Sequence, residues 1–419
     1  MKAIISRSEI NGKMNAPPSK SYTIRSLMCA ALADGESRLI NPLFSDDTEA
    51  ASEVLAQIGI EIEKRENWWQ IRGGHLHEPT MDLFCRDSAA TFRFMTAISS
   101  LIPGRCRLVP GASLARRPIF PLLKALSQLG IENRTKNATI IIHGGILRNN
   151  LVRLPGNISS QFISALLLIA PLAETGITIR LTTPPSSKPY LIMTLDCLKK
   201  FGILVETSDD LMQFRVSKQD YKPTLYTIEG DWSSASFLLA LGAVSGQVEV
   251  TNLNRHSFQG DSIMVNLLRA MGAKVVMGKK SFIVQKSKLK ALTSDLNDCI
   301  DLLPILAVLA AVAEGESRFS GISRARLKES NRVLALREGL EKMRVPVREY
   351  EDMLVIKGAQ PVGTVIDSFG DHRIAMAFGI LGSIVGNTTI KGIECVTKTY
   401  PDFWRVFQNF GGKVNIGVK

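Results

Sequence analysis

The chain has 419 residues, 45% of them hydrophobic and 21% charged, a balance that excludes disordered and fibrous classes and a length that exceeds one ordinary hydrophobic core. A formal net charge of +12 calls for an anionic partner, yet the basic residues are dispersed, aromatics are only 6% and no zinc-finger or RNA-binding signature occurs, so nucleic acid is not the expected partner. The six cysteines, at 29, 85, 106, 197, 299 and 395, lack metal-ligand spacing, the run Met1-Lys2-Ala3-Ile4-Ile5 lacks a signal-peptide core, and no apolar stretch reaches the roughly 18 residues of a membrane span; reduced thiols, a cytoplasmic location, no metal and no membrane partner are expected.

In chain order a strand-like run, Ala3-Ile4-Ile5-Ser6, comes first. From Ser19-Lys20-Ser21, with Arg25, an apolar stretch of helix length runs to Gly35 and is followed by the β-like Ser37-Arg38-Leu39-Ile40. A second amphipathic stretch ends at Gly59, and a hairpin partner follows at Trp69-Gln70-Ile71. The same order begins again at Asp87 with Arg93 (glycines 104 and 130), at Ser159-Ser160-Gln161 (176 and 202), at Asp231-Trp232-Ser233-Ser234 (246 and 272), at Asp301 (315) and at Asp371-His372-Arg373 (386 and 411). The first glycines of the six copies are spaced by 69, 72, 70, 69 and 71 residues, a regularity that marks an internal repeat. The fifth copy has Met343-Arg344 where the others have the second glycine.

The sixth copy lacks its hairpin partner strand, and Ala3-Ile4-Ile5-Ser6 is predicted to supply it. The fold expected is therefore α/β, with two similar lobes of three repeats each, buried parallel helices and outer mixed sheets: an inside-out α/β barrel. The first lobe is predicted over residues 13–225 and the second over 1–12 with 226–419, with a shared site in the cleft between them. Near-continuously apolar helices such as Ile163 to Leu172 and Ile305 to Val312 agree with burial inside each lobe.

Helix N-termini offer unpaired N–H groups and a positive dipole end, and they bind phosphates and carboxylates. The starts of these helices carry Ser, Asp, Lys and Arg, and the second helices are predicted to begin at Arg116-Arg117-Pro118, Ser187-Lys188-Pro189-Tyr190, Arg326 to Arg332, and Thr397-Lys398. Alone, each Ser or Asp reads as an N-cap and each Lys or Arg as a surface charge; together they read as a polyanion site. Asp301, Glu329 and Asp371 interrupt the basic set, and carboxylates among cations suit proton transfer.

Seven ordered motifs carry a resemblance: Pro18-Ser19-Lys20-Ser21 with Arg25, Arg117-Pro118-Ile119, Ser159-Ser160-Gln161-Phe162, Ser187-Lys188-Pro189-Tyr190, Arg326-Leu327-Lys328-Glu329-Ser330-Asn331-Arg332, Asp371-His372-Arg373, and Lys398-Thr399-Tyr400-Pro401-Asp402. Along essentially its whole length the chain resembles the 5-enolpyruvylshikimate-3-phosphate synthase family. The resemblance implies transfer of the enolpyruvyl group of phosphoenolpyruvate to the 5-hydroxyl of shikimate 3-phosphate by a monomer without cofactor or metal. It implies that Lys20, Ser21, Arg25, Ser159, Ser160, Gln161, Ser187, Tyr190, Asp301 and Lys328 meet shikimate 3-phosphate, and that Lys20, Ala89, Arg117, Gln161, Arg332, Arg373 and Lys398 meet phosphoenolpyruvate. Asp301 would take the hydroxyl proton, and Glu329 with Lys20 would move the proton at the methylene carbon.

One motif departs from the family. Asp87-Ser88-Ala89-Ala90-Thr91 stands where members show Asn-Ala-Gly-Thr-Ala or a close variant, so Ala89 occupies a glycine position and weak inhibition by glyphosate is expected. The sister family that uses UDP-N-acetylglucosamine is the alternative. It carries Lys-Asn near its start and a cysteine five residues before Arg-Pro, where this chain has Lys20-Ser21 and Ala112. An RNA-end-processing protein of similar units would explain the charge but not the seven motifs.

Overall fold

The computed structural model describes residues 1–417. It divides into two compact units, Pro18–Glu229 and Met1–Pro17 with Gly230–Lys419, of which 418 and 419 lie outside the described residues. The junctions fall at 17/18 and 229/230 rather than at the expected 12/13 and 225/226, and backbone pairing is the reason. Strand Ile10–Asn15 pairs in parallel with Gly246–Thr251, which holds it in one unit, whereas Leu225–Thr227 pairs in parallel with the strand Gly35–Ile40 of the other.

In the Pro18–Glu229 unit the helices are α1 (Lys20–Leu32), α2 (Asp46–Ala56), α3 (Ala89–Ile98), α4 (Phe120–Gln128), α5 (Ser160–Ile169) and α6 (Lys188–Lys200). In the other unit they are α7 (Trp232–Ser245), α8 (Met264–Ala270), α9 (Leu303–Ala311), α10 (Arg332–Lys342), α11 (His372–Val385) and α12 (Phe403–Asn409). Odd-numbered helices fill the interior of each unit. α9 buries all nine of its residues, and α7 buries all but Ser233; neither has a polar face to give to water, so each must be enclosed. α3 packs on α5 and α1, and α7, α9 and α11 pack on one another. Even-numbered helices are amphipathic, as in α4, which turns Leu122, Leu123, Ala125 and Leu126 inward.

Among the described residues there are six four-stranded sheets, three per unit. Each is mixed: the strand after the first glycine runs antiparallel to its hairpin partner and parallel to a fourth strand. In one sheet that strand is the six-residue Ile10–Asn15; in the other five, as at Leu83–Phe84, Leu151–Leu154 and Val365–Asp367, it has too few residues to show a period of two and escapes a reading of the sequence. In the last sheet, Lys2–Ile5 lies between Thr388–Lys391 and Val414–Gly417, antiparallel to both.

Gly246 corrects one expectation. Its φ of 167° is extended, so it does not end α7 in the left-handed region as a capping glycine does. Glycine is required there by a close approach, since a Cβ would lie 1.9 Å from the Ile10 carbonyl oxygen.

The central strand Lys2–Ile5 makes the N-terminus integral to its unit. Ile5 is fully buried and sits opposite Thr388 and Val414. Ile5→Ala is expected to lower the unfolding free energy by about 2–5 kcal/mol in urea denaturation; a change below about 1 kcal/mol would contradict an integral strand.

Candidate functional site

In the Pro18–Glu229 unit, polar side chains gather at the starts of α1, α3, α5 and α6. Ser19 caps α1, and its N–H donates to the Glu229 carbonyl at 2.9 Å. Lys20, the first residue of α1, reaches Asp47 in the first turn of α2, with Nζ to Oδ2 at 2.7 Å. Five residues on, Arg25 is only 2% exposed. Its Nε donates to Thr194 Oγ1 at 2.8 Å, Nη1 to the Ser21 carbonyl at 3.0 Å and Nη2 to the Tyr190 carbonyl at 3.3 Å. The guanidinium also lies 5.5 Å from the Phe94 ring and 5.7 Å from the Tyr190 ring. Burial draws its pKa below the ordinary arginine value. Ser21, Arg25 and Tyr190 are thus brought together.

Ala89 opens α3 and is buried. The preceding Asp87 accepts at Oδ1 from Ser113 N at 3.0 Å, Ser113 Oγ at 2.7 Å and Leu114 N at 3.1 Å. This carboxylate fixes the turn Leu114–Arg116 that leads into half-buried Arg117. On α3, Arg93 donates to Ser159 Oγ at 3.1 Å, Gln161 Oε1 at 2.6 Å and the Pro118 carbonyl at 3.1 Å. Ser159 caps α5, accepting from Gln161 N at 3.3 Å, and Ser160 is its first residue. Ser187 precedes α6 in a left-handed conformation, φ 53° and ψ 48°, which costs a serine about 1–2 kcal/mol and is typical of a functional turn.

In the other unit the centre is Arg332, which opens α10 and is 1% exposed. Nη1 donates to Asp301 Oδ1 at 2.7 Å, Nη2 to Glu329 Oε2 at 2.7 Å, and Nε to Asp371 Oδ2 at 2.8 Å. Lys328 Nζ lies 3.3 Å and Arg373 Nε 3.8 Å from the same Asp301 oxygen. Asp371 is the N-cap of α11, where it accepts from Arg373 N at 2.9 Å and from Ser330 Oγ at 3.1 Å. Asp301, Lys328, Glu329, Arg332 and Arg373 therefore form one cluster of three carboxylates and three cations when Asp371 is included.

Burial pushes the Asp301 carboxyl up, but Lys328, Arg373 and Arg332 outweigh it and hold this group well below the usual carboxylate range. Asp261, in the turn Gly260–Ile263, behaves oppositely. Burial and the charge of Asp301, with a smaller push from Asp231, raise it to about 7, against the pull of Arg373. One acid is kept charged while its neighbour gives up its proton only near neutrality, and acids set apart in this way suit proton transfer.

Several predicted helix starts are not helical. Arg117, Lys328, Glu329 and Lys398 lie in or just after the short 3-10 turns Leu114–Arg116, Ser323–Leu327 and Ile393–Lys398, and the helices begin later, at Phe120, Arg332 and Phe403. Asp301 likewise sits in the 3-10 turn Ile300–Leu302 ahead of α9. Sequence reasoning missed Asp47, Thr194 and Asp261 altogether. Asp47 had a signal, since Ser45-Asp46-Asp47-Thr48 opens a capped, acid-rich first turn; Thr194 and Asp261 had none.

The sequence profile of the family described as EPSP synthase (3-phosphoshikimate 1-carboxyvinyltransferase) matches residues 4–407. A protein of Dehalococcoides mccartyi named 3-phosphoshikimate 1-carboxyvinyltransferase is 50% identical over 420 residues, covering 100% of both chains. One of the same name from Methanocorpusculum labreanum is 39% identical, covering 98% of this chain and 99% of its own. The solved structure of EPSP synthase from Acinetobacter baumannii superposes with a TM-score of 0.85 at 25% identity, over 99% of each chain. The chain belongs to the EPSP synthase family.

Proposed function

We propose that this protein transfers the enolpyruvyl group of phosphoenolpyruvate to the 5-hydroxyl of shikimate 3-phosphate, releasing phosphate, in the shikimate pathway of aromatic amino-acid synthesis. Family membership supports the reaction, and the observation that carries its chemistry is the Asp301 carboxylate held by Lys328, Arg332 and Arg373. Each substrate bears a phosphate and a carboxylate, which match arginines, lysines and helix N-termini. On this reading Ser21, Arg25, Ser159, Ser160, Gln161, Ser187, Tyr190 and Lys328, with Lys20 and Asp301, hold shikimate 3-phosphate. Lys20, Ala89, Arg117, Gln161, Arg332, Arg373 and Lys398 hold phosphoenolpyruvate. The enzyme acts as a cytoplasmic monomer; free cysteines, of which Cys29, Cys85, Cys106, Cys197 and Cys299 are buried, support a reducing compartment.

Asp301 takes the proton of the attacking hydroxyl as its oxygen bonds to the central carbon of phosphoenolpyruvate, while Glu329 with Lys20 delivers a proton to the methylene carbon. The same pair then removes a proton from that carbon, and phosphate leaves with the electron pair of its carbon–oxygen bond. A carboxylate gripped by three cations is a weak base. Substrate phosphate and carboxylate groups compete for those cations, and each one they draw away raises the basicity of Asp301 where the reaction needs it.

Ala89 adds a proposal about inhibition. Its methyl group narrows the phosphoenolpyruvate pocket for ligands longer than the substrate, so glyphosate is a weak inhibitor. The same methyl also favours the helix start over glycine by about 0.5–1 kcal/mol, a stabilising role that does not depend on any ligand.

Three measurements check these readings. Phosphate release from phosphoenolpyruvate is expected with shikimate 3-phosphate and not with UDP-N-acetylglucosamine, and Asp301→Asn or Glu329→Gln is expected to lower kcat at least 100-fold, on the order of magnitude of a lost acid or base, with substrate KM largely kept. Near-parent turnover in either variant, or activity with the sugar nucleotide alone, would contradict the assignment. Ala89→Gly should lower the half-inhibitory glyphosate concentration by about tenfold or more, the scale of one methyl in a pocket; unchanged inhibition, or tight inhibition of the parent, refutes the pocket reading.

A further inference from the structure

Arg93 is 4% exposed on α3, and it grips both segments that carry neighbouring site residues. Its Nη1 donates to Gln161 Oε1 at 2.6 Å and to Ser159 Oγ at 3.1 Å, and Nη2 donates at 3.1 Å to the carbonyl of Pro118, next to Arg117. The guanidinium plane is backed by Phe162, with 4.9 Å to the ring centroid, so the fork is held in one orientation.

A guanidinium has donors only. Gln161 can meet it only through its amide oxygen, which turns the NH2 end of that amide away from Arg93. Ser159 Oγ accepts from Arg93 and from Gln161 N, which leaves its hydroxyl hydrogen to be donated elsewhere. Two side chains that can ordinarily either donate or accept are thereby fixed as donors. We infer that Arg93 is a positioning residue of the transfer: it sets Gln161 and Ser159 to present N–H and O–H groups to the substrate anions, and it fixes the Arg117 segment to the same frame. The inference rests on the proposed contact of Gln161 with phosphoenolpyruvate. Without Arg93 the amide is free to turn, and its oxygen would then face a phosphate or carboxylate and repel it. Lysine keeps the charge but cannot reproduce the fork.

A double-mutant cycle in the full-length enzyme tests this, read as kcat/KM for phosphoenolpyruvate in phosphate release. Activity of the parent enzyme is measured first: its absence rejects the functional reading, and with it the inference. With the parent active, Arg93→Lys is expected to lower kcat/KM about 30-fold, the scale of one charge-assisted hydrogen bond, but by about fivefold or less when Gln161 is already replaced in Gln161→Ala. Equal losses in the two backgrounds, or no loss at all, would overturn the positioning role and leave the functional reading standing. Gln161→Glu supplies a test that leaves Arg93 in place. It should keep or raise the unfolding midpoint, because an ion pair to Arg93 replaces a neutral acceptor, while kcat/KM falls by about 30-fold or more, because an oxygen replaces the presented NH2. Retention of kcat/KM within about threefold would overturn the inference.

Discussion

Arg332 is the constraint on which the polar cluster of the Gly230–Lys419 segment depends. A guanidinium at 1% exposure has lost its water and must be matched by charge and hydrogen bonds. The three carboxylates that match it come from three places: the turn ahead of α9, the loop ahead of α10 and the N-cap of α11. One buried cation therefore fixes the relative positions of segments that the helical core alone would only bring near. Removing any one partner would leave an uncompensated charge, at a cost of about 3–5 kcal/mol for a buried pair. The same geometry sets the electrostatics. Burial and the charge of Asp301 raise the neighbouring Asp261 to about 7, against the pull of Arg373.

The polar cluster of the Pro18–Glu229 unit is built on the opposite principle. Arg25 and Arg93 are nearly as buried as Arg332, yet the partners of their guanidinium groups described above are hydroxyls, carbonyls and an amide oxygen. Neutral acceptors satisfy the geometry of a cation without cancelling its charge, as Thr194 and the Ser21 and Tyr190 carbonyls do for Arg25. Lys20 is the exception, since Asp47 meets it at 2.7 Å.

The sixfold repeat is legible in the chain because burial constrains it. Helices such as α7 and α9 are apolar on every side, and the glycine spacing marks where each gives way to a strand. Five of the six fourth strands are not legible, since two to four residues carry no period, and Gly246 is misread as a cap because its reason, the Ile10 carbonyl, lies far away in the chain. The candidate site divides in the same way. Lys20, Ser159, Asp371 and Arg373 are found because they stand at helix starts that local sequence marks. Asp261 and Thr194 act through partners distant in the chain: Asp261 faces Asp301 and Arg373, and Thr194 receives Arg25. Arg93 is visible as a basic residue, but its fork onto Gln161, Ser159 and Pro118 exists only once α3 and α5 are packed together.

The central claim is that the Arg332 cluster and the burial around it set two neighbouring acids apart, keeping Asp301 ionised while Asp261 gives up its proton only near neutrality. Carboxyl carbon shifts of Asp301 and Asp261 in selectively labelled, ligand-free enzyme, followed from pH 5 to pH 9, test it directly. The account predicts that Asp301 stays ionised with a flat profile across the range, while Asp261 titrates with a midpoint near 7. An Asp301 inflection near neutrality, or an Asp261 already ionised at pH 5, would contradict it.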